Sequence, residues 1–230
     1  MRIQMGLRSR IILAFSLGVI VLAAMLFIPA GTLKFWPGWA LIALLFIPTI
    51  SFYFYFAKHD PQMIERRLQN KEPTSEQKHL MRFWRPLLFA AFLLPGLDYR
   101  LGWSRTYLGP VPLWLLLLSQ LLVLGGILMA AWAINVNRFA SRTIQVEAGQ
   151  RVISTGPYAV VRHPMYFGGV VMWLFAPLAL GSYFAWPAFA LCIPFYVYRL
   201  LNEEKVLRRE LPGYPEYCLR TRFRLVPFVW

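Results

Sequence analysis

Acidic residues are scarce in this chain. Ten Asp and Glu stand against 24 Lys and Arg in 230 residues, and the four types together make up only 15%. A soluble domain carries roughly a quarter charged residues, so an ordinary water-facing surface is excluded. No polar stretch is long enough to build a second core. The three histidines, His59, His79 and His163, lie in separate segments without metal-ligand spacing, so no metal site is expected. The two cysteines give no disulfide framework, since Cys192 falls in an apolar run and Cys218 in the basic tail. There is no glycine-rich phosphate loop either. "LGGILM" lies inside an apolar run, and its glycines read as a helix-packing surface. Asp60 and Asp98 fall on opposite sides of the membrane in the reading below, which disfavours a Ser-His-Asp hydrolase. Internal repeats and low-complexity tracts are missing.

What the chain has instead is apolar and aromatic residues, 58% and 17% of the total, gathered into continuous runs. Continuous runs of about 20 residues indicate membrane helices, and their lack of alternation excludes a closed β-barrel. The first span is 11–30, retained and not cleaved, because its apolar core is too long for a signal peptide. The second covers Pro37 to Ala57, with Pro48 expected to kink it. Residues 58–82 are polar and are expected to form one or two interfacial helices, with Thr74-Ser75-Glu76 marking a helix start. A short third run, 83–97, crosses if Arg85 and Arg100 snorkel outward. The fourth span is 111–134. A connector follows, with strand-like alternation around Glu147-Ala148-Gly149-Gln150. Two final runs, 165–180 and 184–201, form a helical hairpin broken at Gly181-Ser182. The tail is basic and amphipathic at first and aromatic at its end, suited to an interface. The expected fold is an all-α integral membrane protein of five to six transmembrane helices. Residues 1–134 supply the N-terminal spans, with the cytoplasmic loop 58–85, and 135–230 the functional core.

Charge distribution sets the expected topology. All Lys and Arg except Lys34, Arg100 and Arg105 fall before the first span, in 58–85, in 135–165 or in 199–230. The positive-inside rule then places both termini and the large loops in the cytoplasm. The net charge of +14 is thus mostly topology plus attraction to anionic lipid, and no nucleic-acid partner is expected.

Two polar constellations bracket the last hairpin. Gly156, Pro157, Tyr158, Arg162, His163, Pro164 and Tyr166 precede it, and Arg199, Asn202, Glu203 and Glu204 follow its second apolar run. Each has a bland explanation. Pro164 suits the first turn of a helix, and Glu204 stands four residues before Arg208, an ordinary helical ion pair. An antiparallel hairpin, however, brings both groups to one cytoplasmic end, where ionisable side chains near membrane depth are costly and mark function. A helix start beside Arg162 and His163 suits an anionic group, and two carboxylates opposite suit a cationic one. A ligand carrying both charges fits.

"NRFASRTIQVEAGQRVISTGPYAVVRHPMYFGG" followed by "RLLNEEKVLRRELPGYPEYCLRTRFRLVPFVW" resembles the isoprenylcysteine carboxyl methyltransferase family and its bacterial relatives, with phospholipid N-methyltransferases as more distant cousins. The resemblance covers about 135–230 and rests on four ordered motifs: Gly-Pro-Tyr, Arg-His-Pro-x-Tyr-x-Gly, Glu-Glu and Gly-Tyr-x-x-Tyr. It implies an S-adenosylmethionine-dependent membrane methyltransferase in a bacterial inner membrane. The implied cofactor shell is Tyr158, His163, Pro164, Tyr166, Gly168, Glu203 and Glu204. Arg162 and Arg199 correspond to the arginines that orient a substrate carboxylate, and Glu204 completes the implied catalytic set. The expected acceptor is lipid-like or prenylated.

A carboxylate acceptor needs an arginine to aim it, whereas an amine must shed a proton to Glu203 or Glu204. Both sets are present, so phospholipid N-methylation stays open. So do a sterol- or isoprenoid-reducing enzyme using NADPH and a non-enzymatic transporter. The transporter would place polar residues along the middle of several spans, where this chain has few.

Overall fold

The computed structural model describes residues 6–68, 75–140, 144, 146–147 and 149–230, with side chains of 75–81 set aside. Among these residues every regular element is helical, as the continuous apolar runs require. Helices α1 (Leu7–Ala30), α2 (Trp36–His59) and α6 (Leu113–Val136) are each 24 residues long and apolar enough to cross a membrane. Most of their apolar surface faces outward, with Ile12, Ile20, Ile47 and Leu121 all exposed. Such continuous apolar surface is compatible with lipid and not with water.

The helices between and after them complete the bundle. α3 (Pro61–Leu68) is short, and α4 runs unbroken from Ser75 to Leu101. The 75–82 part of the interfacial segment and the 83–97 run are therefore one helix. Pro86 and Pro95 lie inside α4 without ending it. The expected helix start at Thr74-Ser75-Glu76 falls at the edge of the described residues: Ser75 is the first described residue of α4, and Thr74 lies outside them. α5 (Trp103–Tyr107) turns the chain toward α6. The final pair is α7 (Pro164–Ala179) and α9 (Cys192–Glu210), joined through the single-turn α8 (Trp186–Ala190). α9 runs straight through the end of the apolar stretch at Leu201 into the charged segment. α10 (Tyr214–Arg220) then leads into the tail.

α1 packs on α2 and α4, α2 on α6, and α6 on α7 along its length. The central core joins Leu26, Phe35, Leu41, Val123, Leu180 and Phe189. α6 and α7 approach through glycines. A Cβ added at Gly126 would sit 2.5 Å from the Gly168 carbonyl oxygen, and one at Gly168 would collide with the Gly126 carbonyl. Backbone cannot yield as a flexible side chain does, so Gly126→Ala is expected to lose about 1–3 kcal/mol through overpacking. Thermal unfolding in detergent checks this. Gly125→Ala, where open space surrounds the position, should be nearly neutral.

At the far end of the bundle from the site, buried Asp98 accepts bonds from the Ser104 amide (2.7 Å) and from the Ser104 and Ser182 hydroxyls. These bonds tie the α4–α5 corner to the α7–α8 loop. Asp60, at the other end, caps α3 through the Met63 amide and pairs with Arg138 at 3.4 Å. The two aspartates thus close opposite ends of the bundle.

Candidate cofactor site

Past α6 the chain returns across the polar end of the bundle. Among the described residues around 147–150 no strand pairing forms. Instead the Gln150 amide bonds the Glu147 carbonyl (3.0 Å), and the Gln150 side chain accepts from the Glu147 amide (2.8 Å). Gly149 adopts φ 74°, so this is a tight turn that glycine permits. A second turn, Gly156–Ala159, follows, with Pro157 and Tyr158 buried. Pro164 then opens α7 at its first position, where a missing N–H costs nothing.

Arg162 and His163, just before α7, meet the C-terminal tail. The Arg162 amide donates to the Phe223 carbonyl and the His163 amide to the Arg224 carbonyl, both at 2.9 Å. The buried Arg162 guanidinium reaches Glu204 (2.6 Å) through Nε, and the carbonyls of Thr221 (2.9 Å) and Arg222 (2.8 Å) through Nη1. Glu204 is only 3% exposed. Its second oxygen accepts from Arg224 Nε at 3.0 Å, and Arg208 stands 3.9 Å away one turn on. His163 Nε2 lies 3.4 Å from Glu204 Oε1. Burial by itself would raise the Glu204 pKa, but the contacts from His163, Arg162 and Arg224 outweigh it and hold the carboxyl well below the usual carboxylate range. Glu204 is therefore a fixed anion joining α9, the entry to α7 and the tail.

Glu203 faces another way. It accepts a 2.6 Å bond from the Tyr166 hydroxyl and forms part of the wall of a cleft with about 770 Å³ of empty space, its open mouth included. Of the residues expected from the sequence, Tyr158, Arg162, His163, Tyr166 and Glu203 line this cleft. Glu204 lies behind it, bound to Arg162. Pro164 starts α7, and Gly168 packs against α6. Arg199 is half-buried one turn before Glu203 on α9.

Sequence reasoning passed over several contributors. Asn137 at the end of α6, Arg151, Tyr214 and Tyr217 also line the cleft. The Tyr217 hydroxyl donates to the Tyr158 carbonyl at 2.7 Å, fastening α10 over the Gly-Pro-Tyr turn. The Gly-Tyr-x-x-Tyr spacing was the available signal for both tyrosines. Burial raises the phenol pKa of Tyr158, Tyr214 and Tyr217, so all three remain neutral O–H donors. Two buried polar atoms at the cleft lack a well-formed hydrogen bond within the protein: Tyr214 Oη, and His163 Nε2 beyond its 3.4 Å contact with Glu204. Buried groups of this kind are usually satisfied, so a ligand with polar groups suits them.

Comparison with known proteins agrees on the class of fold and on one segment. Residues 114–212 match the phospholipid methyltransferase family. The mouse (Mus musculus) Delta(14)-sterol reductase TM7SF2 is 30% identical over 94 residues, 38% of this chain and 22% of the reductase. The chain thus spans about a fifth of the length of that curated relative. The solved structure of the eukaryotic intramembrane Ras methyltransferase ICMT (isoprenylcysteine carboxyl methyltransferase) superposes with a TM-score of 0.57 at 17% identity, covering 91% of this chain and 73% of that one. The protein is therefore similar to the phospholipid methyltransferase family over residues 114–212 and has, over nearly its whole length, a fold like that of the intramembrane methyltransferase ICMT.

Proposed function

We propose that the protein is an S-adenosylmethionine-dependent integral membrane methyltransferase whose acceptor is a lipid-like carboxylate of the isoprenylcysteine type. The observation that carries this is the cleft itself. One wall bears a carboxylate, Glu203, and the others bear two buried polar atoms, Tyr214 Oη, without a hydrogen bond in the protein, and His163 Nε2, whose one contact is the 3.4 Å approach to Glu204. S-adenosylmethionine has an ammonium, a carboxylate and ribose hydroxyls, and these are the groups such a donor set lacks. In this reading Glu203 holds the ammonium, and His163 and Tyr214 take oxygen-bearing groups. Ile144, Val152, Leu207 and Leu211, which also line the cleft, offer apolar surface to the base. When bound, the cofactor supplies a methyl already activated on a sulfonium, so the protein's task is alignment and exclusion of water.

The state of the carboxylates favours an acceptor that needs no base. Glu204 is engaged by His163, Arg162 and Arg224 and held ionised by them, which makes it a poor proton acceptor. Glu203 already accepts from Tyr166. A carboxylate arrives ionised and requires only a cation to aim it, for which Arg199 is the proposed residue. Arg162, with its guanidinium committed to Glu204 and two tail carbonyls, then acts by positioning His163 and the tail. The charge distribution supports a cytoplasmic location for this end of the bundle and for both termini.

A second reading, N-methylation of an aminophospholipid, is favoured by the family match over 114–212. Incubation with radiolabelled methyl donor separates the two. A prenylcysteine analogue should gain a base-labile methyl ester, whereas labelling of phosphatidylethanolamine alone, stable to base, would transfer the proposal to the amine. No labelling of either, with NADPH consumed on a sterol or isoprenoid alkene, would replace both.

A further inference from the structure

The last residues do more than close the chain. Thr221, Arg222, Phe223 and Arg224 hold Arg162 and His163 through four backbone carbonyl bonds. Beyond them the chain curls. The amides of Leu225 and Val226 both donate to the Trp230 carbonyl (2.9 and 3.1 Å), and the Arg224 guanidinium lies 5.2 Å from the Trp230 ring centre. Leu225 anchors the curl in the cluster of Tyr166, Val170 and Leu200. At its tip Phe228 adopts φ 64°, the one non-glycine positive φ among the described residues. A bulky side chain rarely takes that conformation. Its effect is to present Phe228 and Val229 outward, 88% and 78% exposed. Leu219, on α10, is 77% exposed. Arg208, Arg209, Arg220 and Arg222 are exposed along the same part of the chain, against Glu210 and Glu216 as the exposed acids.

Apolar tips set among arginines match the boundary between acyl chains and anionic headgroups. A bilayer is necessarily adjacent, because α1, α2 and α6 are membrane-crossing in length and composition. We propose that residues 219–230 dock on the anionic surface of that bilayer, with Phe228 and Val229 entering the acyl boundary and Arg220 and Arg222 meeting lipid phosphates. Because the same tail holds the Arg162 and His163 amides, docking braces the entry to α7 and couples the cleft to lipid charge. This proposal rests on the membrane fold and not on the chemistry assigned to the cleft.

The test places a polarity-sensitive fluorophore on Val229→Cys in a Cys218→Ser background; the remaining cysteine, Cys192, is fully buried. The protein is reconstituted in nanodiscs of phosphatidylcholine, with or without phosphatidylglycerol. Emission should shift to the blue with phosphatidylglycerol, and both high salt and Arg220→Gln/Arg222→Gln should reverse the shift. Hydrogen exchange at the Arg162 and His163 amides should slow in the anionic discs. Identical emission in both lipids overturns the proposal. So does a shift that the arginine variants leave intact. A shift that follows the number of chains per disc also overturns it, because a second copy would then cover the tip.

Discussion

Glu204→Ala is expected to lower stability by about 3–5 kcal/mol, the usual cost of leaving a buried partner charge uncompensated. Arg162 is buried beneath it, and the tail and α9 share the same carboxylate. Glu204→Gln should lose less, because the amide oxygen still accepts a hydrogen bond from Arg162. The effect should also appear in the pH dependence. Glu204's folded pKa is depressed below its ordinary 4.5, so the stability it contributes is fully present above that pH. It is lost as the pH falls below 4.5 toward the depressed folded value, where the native carboxylate at last takes up its proton. Thermal unfolding in detergent from pH 7 downward should therefore converge for wild type and Glu204→Gln at low pH. A gap between them that stays constant with pH would show that the carboxylate charge is not the stabilising element.

Glu203→Gln is expected to leave the fold nearly unchanged and to weaken S-adenosylmethionine binding by about ten- to a hundredfold, the range of one lost charge-assisted hydrogen bond. The residue is half-buried and accepts a hydrogen bond from the Tyr166 hydroxyl. Tyr166→Phe should weaken binding less, since it frees the carboxylate without removing its charge. Adjacent glutamates on one helix thus have separable roles: loss of Glu204 is read in stability, loss of Glu203 in ligand affinity. Equal destabilisation by both substitutions would contradict that division.

The parts of the site that were legible in the sequence are those where chemistry departs from membrane composition. Arg162, His163, Glu203 and Glu204 stand out because ionisable groups are expensive at the edge of an apolar segment. The hairpin brings them together, with Arg162 2.6 Å from Glu204. The tail's part was not legible. The carbonyls of Thr221, Arg222, Phe223 and Arg224 do the holding, and every residue has a carbonyl, so no side-chain pattern announces it. Which glutamate faces the cleft was equally hidden, because adjacent helical positions differ by about 100° in direction. Gly168 shows the ambiguity of a glycine within a motif, since the same residue type serves close ligand approach and, as here against Gly126, close helix approach. The continuity of α4 escaped for another reason. Apolarity marks where lipid begins, around residue 83, while hydrogen bonding carries the helix back to Ser75.

The most direct measurement is a calorimetric titration of the nanodisc-embedded protein with S-adenosylmethionine and, separately, with NADPH. The account predicts saturable binding of S-adenosylmethionine, weakened in Glu203→Gln and His163→Ala, and no binding of NADPH. Binding of NADPH alone, or S-adenosylmethionine affinity unchanged in both variants, would contradict it.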